Sequence, residues 1–233
     1  MKKFFVNNYE NNIFRITGGE FDHLKKVLRC KEGENIICLN GDGNEYLCEI
    51  LKIENGLAEA KLLKASKCKA DPKINLTVYQ ALPKGDKFDF LIQKLSEVGV
   101  SSLVPFESEF TIAKAKDKLD RQNKIAIEAC KQCGRSVPLK IEAPIKFKEL
   151  LSRIQKHQVC YFAYEKANNG KFLDIEKYSD IAIIVGSEGG FSEKEAKDIL
   201  SSGAKELSLG DRILRCETAS LVIAGTISYL TNN

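Results

Sequence analysis

Hydrophobic and polar positions divide the chain into two parts with different patterns. Up to residue 70, short apolar runs end at turns rich in glycine, asparagine and aspartate, which predicts strands joined by tight turns. The predicted strands are Phe4–Val6, Ile13–Ile16, Asn35–Leu39, Glu45–Ile53 and Leu57–Leu63. Five short strands with one helix indicate a small β-barrel, so residues 1–70 form the first predicted domain.

From residue 74 the pattern alternates between strands and helices. The predicted strands are Ile74–Tyr79, Ser102–Pro105, Lys140–Glu142, Val159–Ala163, Ile181–Val185 and Glu206–Ser208. Apolar residues at helical spacing predict helices over Lys87–Gly99 and Phe147–Ile154. This alternation favours a mostly parallel sheet covered on both faces, so residues 74–233 form an α/β domain. The segment Lys67–Lys73 is predicted as the linker.

Residues 181–195 form the most informative segment. The continuous apolar run Ile181–Val185 is typical of a strand buried on both faces. Ser192 and Glu195 have the spacing of a capping box that starts a helix. The loop between this strand and this helix contains Gly186, Gly189 and Gly190, which lets the backbone approach a ligand where parallel strands end. The alternative is a tight turn whose glycines serve only its geometry. The chain contains no P-loop and no G-x-G-x-x-G after a strand, so ordinary phosphate or dinucleotide sites have no support.

A second segment lies next to a helix that is apolar almost all round. Residues 220–227 have this apolar character, which predicts a helix inside the protein or at an interface. Arg212, Arg215 and Glu217 precede it directly, and such charges need partners or water. They form either a structural ion pair or part of a site.

These two segments resemble the motifs of a known family. Val185–Ser192 is similar to the G-P-E-G-G loop of the SPOUT RNA methyltransferases, and Leu209–Ala219 is similar to their L-G-x-x-[IV]-L-R-x-E-T-A segment. Further matches at Lys84–Lys87, Gln93-Lys94, Glu97–Val100, Ala129–Arg135 and in the first 43 residues point to the RsmE family. That family methylates N3 of a uridine in small-subunit ribosomal RNA. Ser187, Phe110 and Lys131 differ from the residues common there.

The resemblance implies a fold and its partners. The implied fold is α/β, a SPOUT-like sheet with a C-terminal trefoil knot, preceded by a small PUA-like β-barrel. It implies that S-adenosylmethionine binds in the knot, that a homodimer completes the active site, and that the substrate is small-subunit ribosomal RNA within an assembled or late-assembly subunit. The residues implied in cofactor binding are Ala163, Tyr164, Val185, Gly186, Glu188, Gly189, Gly190, Leu209, Gly210, Ile213, Leu214, Cys216, Thr218 and Ala219.

The chemistry suggests catalytic candidates. Methylation of uracil N3 requires removal of its proton, and Glu217 is the carboxylate nearest the second motif, with Glu188 as the alternative. Arg215 or Arg135 is the candidate for stabilising negative charge on the uracil oxygens. The alternative role for Glu217 and Arg215 is a structural pair that shapes the loop.

RNA contact is expected from the basic residues Lys3, Lys25, Lys26, Arg29 and Lys84. On a helix, Lys25, Lys26 and Arg29 would share one side. Charge spacing alone favours a solvated face, and the family resemblance favours contact with RNA phosphates.

Composition narrows the setting. The formal net charge is +4 and 43% of residues are hydrophobic, with no apolar run of membrane-spanning length. Eight scattered cysteines without an export signal predict reduced thiols in a cytoplasmic protein. Cys130 and Cys133 lack a second pair for zinc, so core packing is expected and no metal is predicted.

Two other classes of function remain open at this stage. One is a non-catalytic RNA-binding protein that keeps the fold, and the other is a nucleotide-dependent α/β enzyme that uses the glycine loop for phosphate. Failure to bind S-adenosylmethionine would favour the first. ATP binding in its place would favour the second.

Overall fold

A computed structural model describes residues 1–111, 119–167, 170–172 and 174–231. They group into two compact units, Met1–Asp71 with Cys130–Pro138, and Pro72–Ala129 with Leu139–Asn233. The boundary at Asp71 falls inside the predicted linker. The segment Cys130–Pro138 joins the first unit through contacts such as Asp71 Oδ1, which accepts a hydrogen bond from the Ser136 N–H at 2.9 Å.

The first unit, all of whose residues are described, contains a six-stranded sheet. Its strands are β1 (Lys3–Phe5), β2 (Tyr9–Glu10), β3 (Ile13–Thr17), β4 (Asn35–Leu39), β5 (Asn44–Glu54) and β6 (Leu57–Lys67), in the order β1-β4-β5-β6-β3-β2. The five predicted strands are confirmed, and β2 is too short to show a pattern. Asn55 and Gly56, which join β5 to β6, have φ of 47° and 81°, as a two-residue turn with both central residues left-handed requires.

The helical segment of this unit ends at Val27, before Arg29, which was predicted to share a helical side with Lys25 and Lys26. α1 (Gly18–Asp22) continues into a π-helical turn over His23–Val27, and Leu24 packs into the core. Arg29 has φ of 48° and lies beyond the last helical residue. The expectation that Arg29 shares a helical side with Lys25 and Lys26 is therefore wrong, because the backbone turns into the left-handed region before it.

The second unit is built on a parallel sheet. Where the structure is described, its strands are β7 (Asn75–Ala81), β8 (Ser102–Glu107), β9 (Lys140–Ile141), β10 (Ile145–Lys146), β11 (Val159–Ala163), β12 (Asp180–Val185) and β13 (Lys205–Leu207). The order is β10-β8-β7-β12-β11-β13, with β9 also paired to β8, and every pair is parallel. The six predicted strands are confirmed and β10 is additional. Because β11 lies between β12 and β13, the loops that follow these three strands start side by side.

Helices cover both faces of this sheet, as predicted. They are α2 (Lys87–Glu97), α3 (Leu119–Cys133), α4 (Phe147–Ile154), α5 (Glu193–Ser201) and α6 (Cys216–Thr231). Successive strand residues enter opposite hydrophobic clusters: Ile183 packs in one with Leu91 of α2 and Ile223 of α6. Ile184 packs in the other with Leu150 of α4 and Ile199 of α5. No helix in the described part of the chain is long and apolar enough to cross a membrane.

Candidate active site

The glycine loop lies between β12 and α5, as the sequence predicts. Ser192 Oγ accepts a hydrogen bond from the Glu195 N–H at 3.3 Å, and Glu195 Oε2 accepts one from the Ser192 N–H at 3.1 Å. These reciprocal bonds form a capping box, which satisfies two N–H groups at the start of α5. The predicted unit of strand, loop and helix is confirmed.

Two glycines of this loop are required for different reasons. Gly190 has φ of +66°, and a Cβ there would lie 3.3 Å from Glu165 Oε1. Side chains rarely adopt this left-handed backbone, and β-branched ones least of all. At Gly189 a Cβ would lie 2.8 Å from Phe110 Cβ. The close approach at Gly189 is therefore to a side chain of this protein, where the sequence suggested approach to a ligand.

A cavity of about 330 Å³ opens beside the loop. Its walls are residues 163–167 from the end of β11, most of residues 185–191 from the end of β12, residues 207–214 from the end of β13, and Cys216 and Ala219 of α6. We call it the loop cavity. It lies at the carboxyl ends of adjacent parallel strands, where α/β sheets commonly bind ligands.

Most residues assigned to the cofactor line this cavity. They are Ala163, Tyr164, Val185, Gly186, Gly190, Leu209, Gly210, Ile213, Leu214, Cys216 and Ala219. Glu188, Gly189 and Thr218 are not among its lining residues. The lining residues that the sequence analysis did not assign to the cofactor are Glu165, Lys166, Ala167, Ser187, Phe191, Leu207, Ser208, Asp211 and Arg212. All of them lie within three chain positions of an assigned residue, so extending each assigned segment by three residues would have found them.

The loop cavity has polar groups set among apolar walls. The carboxylate of Glu165 lies next to Gly190. Ser187 Oγ is buried and, among the described residues, has no hydrogen-bond partner. Burial raises the pKa of the Cys216 thiol to about 12, so this thiol is neutral and unreactive at neutral pH.

A charged cluster stands beside the start of α6. Lys87 Nζ lies 2.9 Å from Glu188 Oε1 and 3.3 Å from Glu217 Oε2. Glu188 Oε1 also accepts a hydrogen bond from the Lys84 N–H at 3.2 Å, and the Cys216 thiol donates to Glu217 Oε2 at 3.3 Å. The partner of Glu217 in this cluster is Lys87, whereas the sequence suggested Arg215, whose side chain is exposed.

This cluster keeps both carboxylates ionised. Burial alone would raise the pKa of Glu217, but hydrogen bonds from a backbone N–H, Cys216 and Lys87 lower it below its usual range. Burial would also raise the pKa of Glu188, but hydrogen bonds from Lys87 and from backbone N–H groups outweigh burial and lower this pKa below its usual value. The hydrogen bond to Glu188 raises the pKa of Lys87, and Glu217 adds to that rise.

An open pocket adjoins this cluster, and we call it the Glu217 pocket. It is lined by Asp86, Lys87, Phe90, Arg215, Glu217, Thr218, Leu221 and Val222. Cys216 lines the loop cavity and its neighbour Glu217 lines this pocket. The first turn of α6 therefore borders both spaces, which is the arrangement that transfer of a small group between two bound molecules requires.

The first unit contains the remaining predicted residues except Lys84, which is exposed in the second unit. Lys25, Lys26 and Arg29 are exposed, although Lys26 pairs with Asp22 at 2.9 Å. Lys3 Nζ is held by Glu45 at 2.5 Å and by the Gly134 carbonyl at 2.7 Å, so contact with RNA would have to compete with both.

Arg135 and its neighbouring cysteines are mostly buried. The Arg135 residue is only 2% exposed, so its catalytic role stays a prediction that its burial does not favour. Cys130 donates to the Arg135 carbonyl at 3.3 Å, and burial raises the pKa of its thiol to about 12. In the residues that the structure describes, no group of three or more histidine, cysteine or acidic side chains is arranged to hold a metal ion.

Comparison with known proteins places the chain in a family. Residues 70–228 match the model of an RNA methyltransferase domain, and residues 16–63 match an RNA methyltransferase PUA domain. The ribosomal RNA small subunit methyltransferase E of Bacillus subtilis is 32% identical over 99% of this chain and 97% of its own length. The protein of the same name from Mesomycoplasma hyopneumoniae is 33% identical over 96% and 97%.

Solved structures agree with these matches. The ribosomal RNA small subunit methyltransferase E of Neisseria gonorrhoeae, determined with bound S-adenosylmethionine, has a TM-score of 0.89 and 29% identity over 99% of this chain and 98% of its own. The matched domains define the class of the protein, an RNA methyltransferase with an N-terminal PUA domain. Within that class, the chain belongs to the ribosomal RNA small subunit methyltransferase E family, which confirms the RsmE resemblance of its motifs.

Proposed function

We propose that this protein transfers a methyl group from S-adenosylmethionine to N3 of a uridine in small-subunit ribosomal RNA. The observation that carries the proposal is the loop cavity, which both family motifs line at the carboxyl ends of β11, β12 and β13. Relatives of the protein carry the name of a small-subunit ribosomal RNA methyltransferase, and the structure of one of them contains bound S-adenosylmethionine.

The residues of the loop cavity suit this cofactor. Leu207, Leu209 and Leu214 supply apolar walls for an adenine ring. The Glu165 carboxylate is an acceptor for ribose hydroxyls or an ammonium group, and Ser187 Oγ has hydrogen-bonding capacity left for a polar ligand. When bound, S-adenosylmethionine supplies an activated methyl group on a sulfonium sulfur.

The protein's own contribution is to position the base and to accept its proton. The Glu217 pocket takes the extruded uracil, because the N3 edge is otherwise engaged in base pairing. Glu217 would accept the N3 proton while N3 takes the methyl group, whose bond to sulfur would break with its electron pair left on the sulfur. Arg215 stabilises the negative charge that develops on the uracil oxygens. Glu188 is the alternative base, since it shares Lys87 with Glu217.

Two measurements test the proposed activity. Nucleosides from small-subunit ribosomal RNA of a deletion strain should lack one N3-methyluridine by mass spectrometry, and the purified protein should restore it. Calorimetry should show binding of S-adenosylmethionine and none of ATP. Binding of ATP alone would support a nucleotide-dependent enzyme. RNA that is bound tightly but is not methylated would support a non-catalytic RNA-binding protein.

Exposed basic residues of the first unit should contact RNA phosphates. Changing Lys25, Lys26 and Arg29 to Gln should weaken RNA binding and reduce the steepness of log affinity against log salt by about 2 to 3. The reason is that binding releases fewer counterions when phosphate contacts are lost. Affinity for S-adenosylmethionine should stay unchanged. The matched control changes three exposed lysines of the second unit, Lys148, Lys156 and Lys197. Equal slopes for the two triple variants would return the first set to the role of a solvated surface.

We infer that the protein is a homodimer with α6 in its interface. Val222, Tyr229 and Leu230 are 45%, 71% and 42% exposed, and their i, i+7, i+8 spacing puts them on one helical face. Val222→Lys with Tyr229→Lys should give a monomer by sedimentation at micromolar concentration. The control is Leu51→Lys with Leu63→Lys, two exposed leucines of the first unit. A wild-type monomer with full activity would refute the dimer.

We also propose a knot, a form of the substrate and a location for the enzyme. The C-terminal segment is proposed to form the trefoil knot of SPOUT enzymes. The sheet order β12-β11-β13 supports this, since the chain that leaves β12 crosses β11 to reach β13 on its other side. The substrate is proposed to be an assembled or late-assembly subunit. The enzyme is proposed to act in the cytoplasm, where such subunits form.

A further inference from the structure

A buried polar network holds the first residue of the glycine loop. Gln80 near the end of β7 is 0% exposed, and its Nε2 donates to the Gly186 carbonyl at 2.9 Å and to the Ala81 carbonyl at 3.0 Å. Ser220 of α6, also 0% exposed, donates from Oγ to Gln80 Oε1 at 2.5 Å. The three bonds join the central strand β7, the loop and α6.

The chemistry of the network allows only one orientation of the amide. Both N–H donors of Gln80 face carbonyl oxygens, which accept and cannot donate. These two carbonyls select the orientation in which Nε2 faces the loop, and the Ser220 hydroxyl completes it by donating its proton to Oε1. Every polar atom of the Gln80 side chain thus has a partner, and a fully satisfied buried network specifies a single arrangement.

We propose that Gln80 is a positioning residue for methyl transfer, held in orientation by Ser220. This inference rests on the proposed function. Gly186 lines the loop cavity, whereas Gln80 and Ser220 do not, so they act on the cofactor through the backbone of the loop. Ser220 lies one turn after Glu217 on α6, so the same network sets the loop relative to the side chain that borders the Glu217 pocket.

A matched pair of serine variants tests this role. Ser220→Ala should raise the Kd for S-adenosylmethionine about tenfold, because loss of one buried hydrogen bond frees the amide to turn away from Gly186. kcat should fall as well, while the KM for RNA stays the same. The control is Ser96→Ala in α2, where a hydroxyl that is also 0% exposed donates to the Ile92 carbonyl at 2.7 Å. It should lower Tm by a similar amount and leave the Kd unchanged.

A pH profile adds a readout that a merely structural role would not change. In Gln80→Glu a carboxylate faces two carbonyl oxygens, so burial and these acceptors raise its pKa. The protonated acid can donate to one of them. Affinity for S-adenosylmethionine should therefore recover as pH falls from 8 to 6 in Gln80→Glu and should not recover in Ser220→Ala.

The outcomes separate this inference from the proposed function. If the wild-type protein binds no S-adenosylmethionine, the proposed function fails. If the wild type binds and methylates while Ser220→Ala matches it in Kd and kcat, only the positioning role of Gln80 is overturned. Equal loss of affinity in Ser96→Ala would also overturn it, since the effect would then be general destabilisation. If Gln80→Glu does not fold, the two serine variants still decide.

Discussion

Replacing Gly190 by valine should abolish binding of S-adenosylmethionine while the protein stays folded. Valine is strained at φ of +66°, and its Cβ would lie 3.3 Å from the Glu165 carboxylate at the wall of the loop cavity. Strain of this kind is about 1–3 kcal/mol, within the stability of a typical protein. Relief of that strain would move the loop, so we expect the Kd in calorimetry to rise at least about a hundredfold.

A second left-handed glycine separates strain from site geometry. Gly203 follows α5 with φ of +98°, and a Cβ there would meet nothing within 4 Å. Gly203→Val should lower Tm by a similar number of degrees and leave the Kd at the wild-type value. Wild-type affinity in a folded Gly190→Val variant would refute the assignment of the loop cavity to the cofactor.

Replacing Glu217 by glutamine should lower the single-turnover rate at pH 7 about a hundredfold, which is typical for loss of a general base. Affinities for cofactor and RNA should change little, because Lys87 keeps Glu188 as a partner. The rate of the variant should rise with pH, since uracil then loses its N3 proton without help. Glutamine does not titrate, so a rise with pH in the variant reports on the substrate, whereas the lowered pKa of Glu217 keeps the wild-type carboxylate ionised at and above neutral pH.

Two further variants show whether the effect belongs to Glu217 itself. Glu188→Gln removes the other carboxylate of Lys87 and should have a much smaller effect on the rate. Arg215→Lys keeps the charge and loses the planar guanidinium, so it tests whether two-point contact with the uracil oxygens matters. A Glu217→Gln enzyme with the wild-type rate at neutral pH would exclude Glu217 as the base. Lost cofactor affinity without recovery at high pH would instead assign Glu217 a structural role.

Much of the second unit could be predicted because its signals are local. The apolar run before Gly186 and the capping box at Ser192 and Glu195 depend on residues within one strand or one helical turn. In the first unit, the Asn55-Gly56 turn is also a local signal, because its two residues tolerate positive φ. Short-range pattern failed where the backbone departs from a regular helix, as at Arg29.

Sequence patterns were enough to predict the order of elements, the two-part organisation, the loop that lines the cavity and the family. Which distant groups meet is visible only in the folded protein. Lys87 pairs with Glu217, Ser220 reaches Gln80 across 140 positions, and residues 130–138 join the first unit. Periodicity and capping act between neighbours in sequence, whereas these contacts form only when folding brings separate strands, helices and loops together.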